Sequence, residues 1–114
     1  MSGNVSDRDI QRFMQELEQG IREINRDHIR AVIPVVTRDT VLGLEASVAR
    51  LRALYLEAAC AIDSGGSAET PDPATIASLK EKREAFEEVR KAHEALVYAI
   101  GRGYVDIDEL ISNA

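Results

Sequence analysis

His28 and His93 are the residues of this chain best suited to chemistry. An imidazole titrates near neutral pH and is a common transition-metal ligand. Two of them at one height, with Asp27, Asp39 and Glu94 near the same level, would bind a metal or form a pH-responsive polar layer. His28 occupies a rung of an apolar ladder, Ile10, Met14, Leu17, Ile21, Ile24, His28, Ala31 and Val35, spaced alternately by four and three residues. His93 lies beside a similar ladder later in the chain. The competing reading is structural: a polar residue at one seam position fixes packing register and partner number. A di-iron carboxylate centre of the ferritin type is not expected, because its Glu-x-x-His pairs are absent. Asn25 stands three residues before His28, and Arg90 three before His93.

The arginines offer a second kind of chemistry. Arg22, Arg26 and Arg30 form an i, i+4, i+8 row, with Arg8 and Arg12 upstream. Such a row suits an acidic peptide or a phosphorylated ligand; it equally suits a solvated face on which Glu18 pairs with Arg22. Arg83 and Arg90 fall close to the inward stripe of their helix. They either flank a bundle edge, stems packed and heads in water, or converge on an anionic substrate. Cys60 is the only cysteine, which rules out an intrachain disulfide and a cysteine-based zinc cluster; among small apolar neighbours a thiol packs as a small hydrophobe. No serine, threonine or cysteine stands in a recognisable arrangement with a base.

Helices must position all of these groups. A second ladder, Val41, Leu44, Val48, Leu51, Tyr55, Ala58 and Ile62, follows the first in a shifted register. Pro34 separates the two, and the residue before a proline is pushed out of the helical region. The break and the shift together predict two helices, although one long kinked helix is an alternative. Ser6 with Asp9 reads as a capping box, and Val5 with Ile10 as a hydrophobic staple. Asp72 and Pro73 open a third helix, with Ile76, Leu79, Phe86, Val89, Leu96 and Ile100 inward and Gly101 placed to end it. Asp106 and Glu109 mark a short last helix.

The expected fold is therefore all-α: an up-down-up antiparallel three-helix bundle with helices over about 7–33, 39–63 and 73–100, plus a short helix over 107–112. The 114 residues suit a single domain, with a flexible loop over 64–71. Beside its main ladder the second helix carries a parallel stripe, Leu42, Ala46, Ala49, Ala53, Leu56 and Cys60. Two apolar stripes call for more than one neighbour, so this stripe is the expected dimer interface.

Composition narrows the function. A net charge of −6 disfavours nonspecific binding of nucleic acid, which depends on neutralising phosphates. No apolar run approaches the ~18 residues of a membrane span, and the polar start reads as no secretory signal. The expectation is a cytoplasmic, bacterial-type, non-enzymatic helical module with no cofactor, a homo-oligomer that acts as adaptor, chaperone or small regulator for a protein partner. Two alternatives stand beside it: a ligand- or metal-sensing bundle built on His28 and His93, and a small enzyme that binds an anionic substrate through Arg83 and Arg90.

Overall fold

The structure, a computed structural model, describes residues 4–62 and 70–111. It is helical: α1 spans Asp7–Val32, α2 Arg38–Ala61, α3 Pro73–Gly101 and α4 Asp108–Ile111. Among the described residues the only β-type pairing is a single parallel bridge between Val36 and Ile107. Of the loop expected over 64–71, all but Thr70 and Pro71 lie outside the described residues, as does Ser112 of the expected last helix. Two compact units make up the chain, one of Met1–Thr37 with Tyr98–Ala114, the other of Arg38–Val97.

The helix boundaries follow from local chemistry. The Ser6 hydroxyl accepts from the Asp9 backbone N–H at 3.1 Å, and the Asp9 carboxylate accepts from the Ser6 N–H at 3.4 Å, completing the capping box. At the other end of α1, Ile33 is extended (φ −127°, ψ 90°), as the following proline demands. The chain stays extended to Thr37 before α2 begins, so the Pro34 region joins two helices. Asp72 caps α3 by accepting from the Thr75 N–H at 2.8 Å. That backbone hydrogen bond favours the charged carboxylate and lowers its pKa below the ordinary 3.8.

The far end of α3 differs from expectation. Gly101 is its last helical residue, but the stop is made two residues on by Gly103, the one described residue type free to take φ 78° without strain. The Gly103 N–H donates to the Ile100 carbonyl at 3.0 Å and the Tyr104 N–H to the Ala99 carbonyl at 2.9 Å. This is a Schellman motif, and the edge-on contact of Tyr98 with Tyr104 (6.3 Å between ring centroids) supplies its hydrophobic clasp. The turn sends the chain back along α1. There the Val36 N–H donates to the Asp106 carbonyl and the Asp108 N–H to the Val36 carbonyl, both at 3.0 Å. Val36 and Val105 are the buried centre of this unit, at 4% and 7% exposure.

In the second unit α2 and α3 pack as an antiparallel hairpin. Glu45 meets His93, Tyr55 stacks on Phe86 at 6.1 Å, and Ala58 and Ala61 border a groove with Ala74 and Ser78, so positions rise on one helix as they fall on the other. All seven residues of the Val41–Ile62 ladder are at least partly covered, and Val48 is sealed at 1% exposure. On the part of α3 in this unit the covered rungs are Leu79, Phe86, Val89, His93 and Leu96, whereas Ile76 is exposed. Gly103→Ala forces a Cβ into a left-handed backbone, which costs about 1–2 kcal/mol. It is expected to lower the thermal midpoint, while Gly101→Ala, in a helix with open space around it, leaves it unchanged or raises it; paired melting curves check both.

Candidate functional site

The arginine row of α1 is not a free anion site. Arg26 and Arg30 both reach the carboxylate of Asp106, each to its own oxygen, at 2.9 and 2.8 Å. Arg26 also donates to the Gly103 carbonyl at 3.1 Å, and Arg22 to the Arg102 carbonyl at 3.2 Å. Like charges at i, i+4, i+8 repel on a bare helix; here a carboxylate and two carbonyls of the segment after α3 absorb that charge. Glu18, expected to pair with Arg22, binds Arg102 instead at 2.9 Å. Its hydrogen bond pushes the Arg102 guanidinium further up into the charged range.

These contacts decide which side of α1 faces its own unit. Apart from Gly20, the partly covered residues of α1 are Arg22, Asn25, Arg26 and Ile29. The apolar ladder lies roughly 120° away around the helix. Ile10, Phe13, Met14, Leu17, Ile21 and Ile24 are all between 42% and 60% exposed. At mid-ladder Met14, Leu17 and Ile21, with Glu18 and Arg102 at the rim, surround a hollow of roughly 300 Å³.

The outer stripe of α2 is equally open. Leu42, Ala46, Ala49, Ala53, Leu56 and Cys60 are exposed without exception, and the two leucines stand at 57% and 53%. The stripe is centred roughly 150° from the ladder that meets α3, so one helix carries two apolar faces on opposite sides.

The histidines occupy unlike settings. His28 is exposed on α1. His93 is half-buried on the seam itself, with Nδ1 3.5 Å from the Glu45 carboxylate of α2. Among the described residues, no group of three or more histidine, cysteine, aspartate or glutamate side chains is placed to hold a metal ion. Asp27 is exposed on α1, Asp39 sits in the first turn of α2, and Glu94 is taken by Arg90 at 2.6 Å. Arg90 also lies over the Phe86 ring, as does Arg52, at 5.9 and 5.2 Å from its centroid. Arg83 pairs with Glu87 at 3.7 Å. Arg83 and Arg90 thus each have a carboxylate on their own helix.

Asp106, Arg102 and Glu45 are the site residues that sequence reasoning missed. The clue to the first was the arginine row, whose self-repulsion asks for an external anion. Comparison with known families, curated proteins and solved structures gives no match, so a functional reading rests on the residues alone. No described helix is long and apolar enough to cross a membrane.

Asp106→Ala leaves two guanidinium groups facing each other without their shared anion. Hydrogen bonds to charged groups, discounted for partial exposure, put the cost at about 1–2 kcal/mol. Urea unfolding is expected to show this loss, and added salt to narrow the gap from the native protein as it screens the arginine pair.

Proposed function

We propose that this chain is a non-enzymatic helical protein–protein interaction or assembly module that self-associates through the outer stripe of α2. One observation carries the reading. α2 is apolar on two opposite sides, and α3 covers only the side that holds Val48. An apolar helix face is stable when another element covers it. The alanines at 46, 49 and 53 let a second helix approach closely, while Leu42 and Leu56 provide bulk toward the two ends. A second copy presents the same stripe, and an isologous two-fold contact is the commonest way for one surface to cover itself. Two hairpins joined in this way make a four-helix layer in which α2 of each copy is central.

Two charge substitutions test the reading. Ala53→Asp places a carboxylate in the centre of the outer stripe, where burial without a partner costs several kcal/mol. The variant is expected to halve the light-scattering mass while far-UV circular dichroism stays helical. Leu51→Asp, on the covered ladder, is expected to abolish helicity. A native protein that stays monomeric at high concentration, or an Ala53→Asp variant of unchanged mass, overturns the proposal.

A further inference from the structure

We infer that the exposed apolar face of α1 is a docking groove for an amphipathic helix with a basic edge, supplied by a partner protein. The inference rests on the interaction-module reading and adds to it a second face and the chemistry of what binds there.

The face is built of large side chains. From Ile10 to Ile24 it presents isoleucine, phenylalanine, methionine and leucine over about four helical turns. It is also not flat: the hollow between Met14, Leu17 and Ile21 has room for one bulky apolar side chain. A hydrophobic stripe with a central pocket is the geometry of helix-in-groove recognition, in which a few anchors carry most of the affinity.

Charge selects the partner. On one flank of the stripe Asp9, Glu16 and Glu23 recur every seven residues, with Asp27 beyond them; Asp7 stands on the other, where Glu18 is already paired with Arg102. Arg12 lies near the first of these flanks and offsets part of its charge, whereas the three later arginines of α1 are turned away. Arg22, Arg26 and Arg30 are bound to Asp106 and to the carbonyls of Arg102 and Gly103. The groove therefore has one strongly acidic edge, which favours lysine or arginine at the facing margin of an incoming helix and disfavours a copy of the same face. An anionic membrane fits poorly for the same reason, because a membrane-surface helix carries its basic residues beside its apolar face.

The test uses the full chain and two synthetic helical peptides of about 18 residues, long enough to span the stripe. Both carry leucine at the core positions; one has lysine at the flanking positions and the other glutamate. By fluorescence anisotropy the lysine peptide is expected to bind at least about tenfold more tightly, with affinity that falls as salt rises. Leu17→Glu, in the wall of the hollow, is expected to weaken that binding about tenfold or more, while the light-scattering mass stays that of the native protein. The double variant Glu16→Lys, Glu23→Lys is expected to reverse the preference toward the glutamate peptide. Equal binding of the two peptides, or binding of neither, overturns the inference. So does a Leu17→Glu variant that loses its self-association, since the occupant is then a second copy, and so does tighter binding to anionic phosphatidylserine vesicles than to the lysine peptide. Self-association that persists without peptide binding refutes this inference alone; peptide binding by a monomeric chain refutes the α2 interface alone.

Discussion

Two guanidinium groups of α1 converge on the single carboxylate of Asp106, and much of the first unit depends on that meeting. A helix turns one side at a time toward a neighbour. Here the polar side is turned inward, because Arg22, Arg26 and Arg30 find acceptors in the segment after α3. The apolar ladder is left outward as a direct consequence. Val36 and Val105 seal a small centre beneath the parallel bridge. The unit is thus held chiefly by charge-assisted and backbone hydrogen bonds, with little apolar burial.

The second unit reverses that balance. Its α2–α3 seam is a conventional apolar zipper, with Val48 at the centre and Tyr55 stacked on Phe86. The charged groups near Phe86 serve packing as well as solubility. Arg52 and Arg90 place their guanidinium groups over its ring, which shields an aromatic side chain that a two-helix layer alone covers incompletely. His93 fits the same logic: on the seam, opposite Glu45, it is one polar rung among apolar ones.

Much of this was legible in the sequence, and the exceptions share one cause. The capping box at Ser6, the break at Pro34, the Asp72 cap and the ladder that meets α3 are local features, set by residues within a turn or two of each other. The outer α2 stripe was legible for the same reason: periodicity on one helix separates a covered face from an uncovered one. The Asp106 clamp joins residues 76 and 80 apart in sequence, and no local pattern encodes such a meeting. The stop at Gly103 was misplaced by two residues because Gly101 and Gly103 look equivalent in sequence; only the backbone turn needed to bring Tyr104 onto Tyr98 tells them apart. The arginine row was read as either a ligand site or a solvated face. Its third use, holding distant backbone, comes from contacts across the fold that no spacing on one helix encodes.

The bridge between Val36 and Ile107 bears on the order in which the molecule assembles. It closes a loop that contains the whole α2–α3 hairpin. Ordering a loop of that length carries a large entropic cost when the intervening chain is unstructured. A hairpin formed first brings Thr37 and Tyr98 onto a folded element and shortens the effective loop. A seam formed first thus lowers the entropic cost of closing the Asp106 clamp, and with the clamp open α1 keeps both its apolar ladder and its arginine row exposed. The segment that completes the first unit is therefore also what gives α1 its inward and outward sides.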